Sequence, residues 1–118
     1  MTAKLKVHGR FWLTLDGANF LGGGRIELMQ RIAETGSISQ AAKAMKMSYK
    51  AAWDAVDAIN RAWGTPLVVS KPAGSALTED AKRLIAAFHE AEARHRGFMV
   101  ELEKYLALKI SDKAKKLH

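Results

Sequence analysis

Six polar residues stand at the starts of two short helical patterns in the middle of the chain. They are Ser37, Ser39, Gln40, Ser48, Tyr49 and Lys50. Hydroxyl, amide and ammonium groups of these kinds donate hydrogen bonds to phosphate oxygens and to the base edges in the grooves of a duplex. Lys50 can contact a phosphate or a guanine edge, and Tyr49 can donate to a phosphate or pack on a thymine methyl. This pattern indicates contact with nucleic acid.

The competing interpretation is that these residues form only solvated helix starts, since serine is a preferred N-cap. The second pattern has apolar positions three or four residues apart, namely Ala52, Trp53, Val56, Ile59 and Trp63. This spacing predicts a helix from Ser48 to Gly64 that is anchored by its C-terminal two-thirds. The three tryptophans of the chain are interpreted as core or interface residues. Because the first turn stays outside the core, we expect Tyr49 and Lys50 to face a nucleic acid.

Composition sets the class of protein and of partner. The chain has 118 residues, with 19 lysines and arginines against 12 acidic residues, a formal net charge of +7 and a pI near 9.9. Such a charge suits a polyanionic partner. The 48% hydrophobic share predicts one globular domain, which we place at residues 1–108. The sequence has no cysteine, no signal-peptide pattern and no run that could span a bilayer, so we expect a cytoplasmic protein without a membrane partner.

Hydrophobic periodicity predicts a three-helix core over residues 25–63 that carries the polar groups. Helix one spans residues 25–35, and Gly36 suits its left-handed C-cap. Helix two is short and is capped by either Ser37 or Ser39. Gln40, three residues after Ser37, could close a capping box with that serine.

Two β elements are predicted on either side of this core. Alternating basic and apolar residues predict a strand over Lys4–Arg10, and the run Phe11–Leu15 ends at Asp16-Gly17, a dipeptide suited to a hairpin turn. We interpret residues 1–20 as an edge hairpin that covers the helices. A second hairpin, here called the wing, is predicted over residues 67–77 from its β-branched run and its turn residues.

A long helix, capped by Thr78, is predicted over residues 79–108 from apolar positions that repeat every seven residues. One line of the repeat is Ala81, Phe88, His95 and Leu102, and the other is Leu84, Ala91, Phe98 and Tyr105. A single small domain cannot cover so long a stripe, so we expect this helix to join two copies of the chain as a homodimer. The basic tail over residues 109–118 is expected to be disordered.

The order of these elements matches a winged helix-turn-helix, a mainly α fold with small β elements and here a long C-terminal dimerisation helix. In such a fold helix two braces helix three, whose first turns enter the major groove of double-stranded DNA. Lys71 is the only cation of the wing, and, with Asp54 and the six polar residues above, it completes a set of eight candidate DNA-binding residues. Carboxylates near phosphate weaken DNA binding, so Asp54 and Asp57 are expected to orient neighbouring cations or to disfavour wrong registers.

The sequence does not support an enzyme, a metal site or a cofactor. Gly17 and Gly22 have the spacing of a phosphate-binding loop, but Gly23 and Gly24 stand where that loop needs a lysine and a hydroxyl residue. His89 and His95 are six residues apart, so on a helix they point in different directions and do not form a zinc pair. No serine or carboxylate pair has a base beside it in the sequence.

Residues 25–78 resemble the N-terminal DNA-binding domain of the ModE-type molybdate-responsive regulators. The most specific stretch is Ser48-Tyr49-Lys50-Ala51-Ala52-Trp53, with Asn60 two turns later. The chain resembles the LysR-type regulators more distantly, through the order of its Gly-Ser, Ala-Ala and Gly-x-Pro-Leu elements. The resemblance implies a transcription factor domain in which helix three reads the major groove, the 67–77 hairpin is the wing and the long helix dimerises.

The sequence departs from the family in two ways. Members that respond to molybdate carry the oxyanion site in additional C-terminal domains, so we expect a regulator without them. The wing is shorter and poorer in glycine than is usual in the family, which argues against a minor-groove contact. The expected function is that of a sequence-specific transcriptional regulator that binds DNA as a homodimer. The alternative is a winged-helix protein-interaction module that has lost specific DNA binding.

Overall fold

The computed structural model describes the backbone of residues 4–117 and the side chains of residues 4–111. The chain divides into two compact units. The core unit is Trp12–Ala87, and the terminal unit contains the described residues before Trp12 and from Phe88 onward. The elements in chain order are β1 Trp12–Leu15, β2 Ala18–Gly22, α1 Gly23–Thr35, α2 Ile38–Ala44, α3 Tyr49–Trp63, β3 Val68–Lys71, β4 Gly74–Leu77 and α4 Glu79–Leu117.

The three short helices of the core unit bury one face each, although two predicted positions of helix three, Trp53 and Trp63, are 42% and 37% exposed. α1 ends at Gly36, which has a left-handed φ of 73° and donates its amide to the carbonyl of Ile32 at 2.7 Å. The two alanines of α2 are small enough for close helix contact. The buried residues of these helices are Ile26, Leu28, Met29 and Ile32 from α1, Ile38, Ala41 and Ala42 from α2, and Ala52, Val56 and Ile59 from α3.

A hairpin of β1 and β2 precedes α1, and it turns at the dipeptide that predicted it. Asp16 and Gly17 have φ values of 51° and 82°, the positive values that the favoured two-residue hairpin turn requires at both central positions. Arg25 then donates from Nη1 to the carbonyls of Asn19 and Phe20, at 3.0 Å each. The guanidinium thereby ties the first turns of α1 to β2.

The strand predicted over Lys4–Arg10 is wrong, because these residues form no β ladder. Alternation of side chains meets one requirement of a strand, but the backbone also needs a neighbouring strand to bond with. Here the N–H of Val7 donates instead to the carboxylate of Glu103 at 3.2 Å, and Nζ of Lys6 lies 3.8 Å from the same group. The segment therefore lies against α4 within the terminal unit.

Helix α4 extends to Leu117, beyond the predicted end at residue 108. Thr78 caps its start, as predicted, by accepting from the N–H of Ala81 at 3.3 Å. Residues 109–117 contain no glycine or proline that would stop a helix, so this stretch of the predicted disordered tail is helical, and His118 lies outside the described residues. Despite its length, neither α4 nor any other helix in the described part of the chain has an apolar stretch that could cross a bilayer.

Part of the apolar stripe on α4 packs against other residues of the same chain. Phe88 was expected to face a second copy, but it is only 2% exposed and packs on Phe11, with ring centroids 5.1 Å apart. The ring of Phe11 also lies 5.5 Å from that of His95. The stripe is open further along the helix, where the exposed residues include Phe98, Leu102, Tyr105 and Leu106.

The wing is joined to α3 by the side-chain amide of Asn60. β3 and β4 pair antiparallel from Val68 opposite Leu77 to Lys71 opposite Gly74. Oδ1 of Asn60 accepts from the N–H groups of Leu67 and Val68 at 2.8 and 3.1 Å, and Nδ2 donates to the carbonyl of Val68 at 3.1 Å. One side chain thus satisfies three backbone groups at the start of the wing.

We expect Asn60→Ala to destabilise the fold by about 1–3 kcal/mol, because it leaves three half-buried backbone groups without partners. Urea unfolding followed by circular dichroism measures this loss. Asn19→Ala is the control, since Asn19 is exposed on β2 and surface substitutions of this kind change stability by less than about 0.5 kcal/mol. Equal midpoints for the two variants would show that the Asn60 amide is dispensable.

Candidate nucleic-acid interface

Three segments of the core unit line a shallow cleft of about 310 Å³. They are the start of α2, the first turn of α3 and the wing. The lining residues are Ser37, Ile38, Ser39, Tyr49, Trp53, Ser70, Lys71, Gly74 and Ser75. The cleft therefore brings together four of the eight residues proposed from the sequence, Ser37, Ser39, Tyr49 and Lys71, although they span 35 positions of the chain.

Two of the predicted serines serve as helix caps. Ser37 caps α2, accepting on Oγ from the N–H of Gln40 at 3.2 Å, and Ser48 caps α3, accepting from the N–H of Ala51 at 3.1 Å. Ser37, rather than Ser39, is thus the cap of helix two. The other four predicted residues do not line the cleft, although their side chains are exposed: Gln40, Ser48, Lys50 and Asp54. The hydroxyl oxygens of the caps are committed to the backbone, which fixes where the two helices begin.

Lys50 and Asp54 form an exposed ion pair one turn apart on α3. Nζ of Lys50 donates to the Asp54 carboxylate at 2.9 Å, and the two side chains are 84% and 67% exposed. This hydrogen bond, reinforced by the opposite charge, raises the pKa of Lys50 above its ordinary value. The lysine is therefore cationic at neutral pH. An exposed pair of this kind is weak, so a phosphate can replace the carboxylate as the partner of the ammonium group.

Tyr49 and Trp53 form a second pair on the same helix. The indole Nε1–H of Trp53 donates to the hydroxyl of Tyr49 at 2.6 Å. Both rings are open to solvent, with 55% of Tyr49 and 42% of Trp53 exposed. Of the two roles predicted for Trp53, core or interface, its exposure excludes the first, and the ring lines the cleft instead.

The wing is fixed to the turn between α1 and α2 by a close backbone contact. The N–H of Ser75 donates to the carbonyl of Gly36 at 2.8 Å. Gly74 has a φ of 150°, and a Cβ placed on it would come within 2.1 Å of the same carbonyl oxygen. Only glycine fits this position without movement of the backbone, so the wing sits beside the start of α2.

Five residues of the cleft were not predicted from the sequence as site residues, namely Ile38, Trp53, Ser70, Gly74 and Ser75. The hairpin was correctly predicted, but its return to the α1–α2 turn is a long-range contact that local patterns do not report. Asn60 was noted only through the family resemblance, and the structure shows its role in holding the wing.

The carboxylates on α3 both lie beside cations. Asp57 bonds Arg61 as Asp54 bonds Lys50, each one turn along the helix. The hypothesis that Asp54 and Asp57 orient neighbouring cations requires such an arrangement. Within the described residues no three histidine, aspartate or glutamate side chains are grouped so that they could hold a metal ion.

A family model for bacterial regulatory helix-turn-helix proteins of the lysR family matches residues 24–82. The match runs from the start of α1 through the wing into the first turn of α4, and it includes the whole cleft. The chain belongs to the lysR family. Membership accounts for the order of α1, α2, α3 and wing, and it confirms the resemblance drawn from the sequence.

The chain is also similar to curated proteins whose names refer to molybdenum. The chain is 41% identical over 93 residues to the molybdenum-pterin-binding protein MopB of Rhodobacter capsulatus, covering 75% of this chain and 34% of MopB. It is 35% identical over 102 residues to the molybdenum transport protein ModE of Azotobacter vinelandii, covering 82% of this chain and 38% of that protein. The chain thus spans little more than a third of the length of these relatives.

The fold is also that of a solved regulator of the lysR family. A transcriptional regulator from Eggerthella lenta DSM 2243 superposes with a TM-score of 0.51 at 20% sequence identity, covering 58% of this chain and 99% of the solved one. At this level of identity the similarity establishes the winged helix-turn-helix fold and nothing finer.

We expect Gly74→Ala to release the wing from the α1–α2 turn, because the new methyl group and the Gly36 carbonyl cannot both keep their places. Amide hydrogen exchange should show faster exchange at Ser75, with a stability loss of about 1–3 kcal/mol. Gly97→Ala is the control, since Gly97 lies within α4 with nothing near its Cβ position and alanine favours a helix by up to about 1 kcal/mol. Unchanged protection of Ser75 in Gly74→Ala would contradict the tether.

Proposed function

We propose that this chain is the DNA-binding part of a bacterial transcriptional regulator and that it binds double-stranded DNA across the cleft. The observation that carries the proposal is the convergence of Ser39, Tyr49 and Lys71 from three separate elements on one exposed surface, in a chain of the lysR family. The name of the relative ModE in Haemophilus influenzae, a transcriptional regulator 38% identical over 81 residues, supports the same role. The role is regulatory rather than enzymatic, and we place it in the cytoplasm.

The proposed mode of binding follows from the geometry of α3. Its C-terminal two-thirds are anchored by Ala52, Val56 and Ile59, all buried, so its first turn projects from the core. Such a turn fits the major groove of B-form DNA, where lysine recognises the acceptors of guanine and hydroxyl groups contact phosphates. Lys50 is the base-reading candidate, and Lys71 on the wing is the phosphate candidate.

Asp54 gives this arrangement a means of discrimination. In the free protein its carboxylate holds the ammonium group of Lys50 on one side of α3. Close to DNA the Asp54 carboxylate repels phosphate. Contact between Lys50 and DNA is therefore favourable only where a base offers the ammonium group two acceptors in place of the one carboxylate oxygen. We therefore propose that Asp54 lowers affinity for non-specific DNA more than for the operator.

We also propose that the regulator is a homodimer joined through α4. Phe98, Leu102, Tyr105 and Leu106 recur at helical spacing and are exposed, while the segment before Trp12 covers the neighbouring flank of the helix through Phe88, His95 and Glu103. An apolar stripe left open in this way is typical of an interface between helices. A two-fold dimer presents two copies of α3 and should require an inverted repeat.

The DNA-binding proposal predicts that Lys50→Ala weakens operator binding by about 1–3 kcal/mol and relaxes the preference at one base position. The operator is first obtained by selection from random duplexes, and affinity is then measured by fluorescence anisotropy at several salt concentrations. For the wild type, affinity should fall steeply with salt because bound phosphates release counterions.

Lys82→Ala is the matched control for charge. Lys82 also belongs to an exposed ion pair, with Glu79 at 3.2 Å, but it lies on α4 and not on the first turn of α3. Its removal should leave base preference unchanged. No binding of any duplex by the wild type, even at low salt, would overturn the proposed function and favour a protein-interaction module.

The dimer proposal predicts that Leu102→Asp dissociates the protein, because a carboxylate would have to be desolvated at the centre of the stripe. Sedimentation equilibrium at micromolar concentration measures the change. Val100→Asp is the control, since Val100 is 47% exposed but lies two residues away on the opposite side of the helix. A monomeric wild type would contradict the proposal.

A further inference from the structure

The hydrogen bond between Trp53 and Tyr49 has a fixed direction. An indole N–H can only donate, so the tyrosine oxygen is the acceptor across the 2.6 Å between them. A phenol hydroxyl carries one proton of its own, and within the described part of the chain that proton reaches no acceptor. Because the oxygen already receives the indole proton from one side, its own O–H bond points away from the indole.

We propose that Trp53 is a positioning residue that directs the Tyr49 hydroxyl to donate to a phosphate oxygen of DNA lying in the cleft. The inference rests on the proposed function and adds to it the donor, the acceptor and the residue that sets their direction. Residues four apart on a helix are neighbours on one face, so α3 itself holds the two rings together. The hydroxyl is therefore oriented before DNA arrives, and less ordering is needed on binding.

The polar lining of the cleft favours phosphate over a base as the acceptor. Apart from the aromatic pair, the lining side chains with polar atoms are the hydroxyls of Ser37, Ser39, Ser70 and Ser75 and the ammonium group of Lys71. All of them can donate, and no carboxylate or amide is among them. A phosphate offers several acceptor oxygens to such a set, whereas a base edge presents donors as well as acceptors. The two exposed rings add an apolar surface on which a deoxyribose can pack.

The test uses the intact chain, its selected operator and three variants: Tyr49→Phe, Trp53→Phe and the double variant. Tyr49→Phe removes only the hydroxyl and should weaken binding about tenfold, the effect typical of a hydrogen bond to a charged group. The loss should be the same for all duplexes, since phosphates carry no sequence information. The slope of affinity against salt should not change, because a neutral donor releases no counterion.

Trp53→Phe should weaken binding by a smaller factor of about three to ten, because the hydroxyl is kept but no longer directed. In the Tyr49→Phe background the same substitution should have no further effect. If the indole had only a structural role, Trp53→Phe would weaken DNA binding in the Tyr49→Phe background as well. Additive losses of affinity would therefore overturn the inference. Lys71→Ala serves as the contrast, since removal of a cation should flatten the salt slope by about 0.9.

A second readout does not depend on the fold of any Trp53 variant. In the wild type, the Nε1–H resonance of Trp53 should be shifted by its bond to Tyr49 and protected from exchange, and both effects should disappear in Tyr49→Phe. An unchanged resonance would show that the bond is absent in solution and would overturn the inference.

The outcomes separate this inference from the proposed function. If the wild type binds duplex with steep salt dependence while Tyr49→Phe binds equally well, the inference fails and the function stands. A loss confined to one base position would show that Tyr49 reads a base and would likewise overturn the phosphate contact. If the wild type binds no duplex at all, both fail.

Discussion

The side-chain amide of Asn60 holds the wing against α3, and the position of the candidate interface depends on it. Its three hydrogen bonds to Leu67 and Val68 fix where β3 leaves the helix, and the Ser75 bond to Gly36 then fixes where β4 returns. Between these two points the wing has little freedom, so Lys71 is placed opposite the first turn of α3. The cleft therefore forms because backbone groups at both ends of the wing have hydrogen-bond partners elsewhere in the core unit.

The local parts of this architecture could be predicted from the sequence because their causes are local. Ser48 and Thr78 cap the helices that follow them, Gly36 and Gly64 end the helices before them, and Asp16-Gly17 turns the first hairpin. Each of these signals acts within a few residues, where backbone geometry and capping decide the outcome. The polar first turn of α3 follows from the same helix pattern, which explains why the exposure of Tyr49 and Lys50 could be predicted.

The remaining features depend on contacts between distant residues. The alternation of Lys4–Arg10 resembles a strand, but only the fold decides whether a partner strand is available, and here Glu103 takes the backbone donor of Val7 instead. Phe88 belongs to a heptad line whose period does not reveal that Phe11 covers it. Trp53 continues the apolar spacing of α3, and this pattern does not reveal that its ring lines the cleft and bonds Tyr49. Likewise, no local signal places Ser70 and Ser75 beside α2.

The central claim is that DNA binds across the cleft formed by the starts of α2 and α3 and by the wing. The most direct measurement is the change in backbone amide chemical shifts when the ¹⁵N-labelled protein is titrated with its selected duplex. The account predicts that the largest changes fall on residues 37–40, 48–54 and 70–75, while the exposed stripe of α4 beyond Phe98 changes little. Changes concentrated on α4 or on the β1–β2 hairpin, with the cleft unaffected, would contradict it.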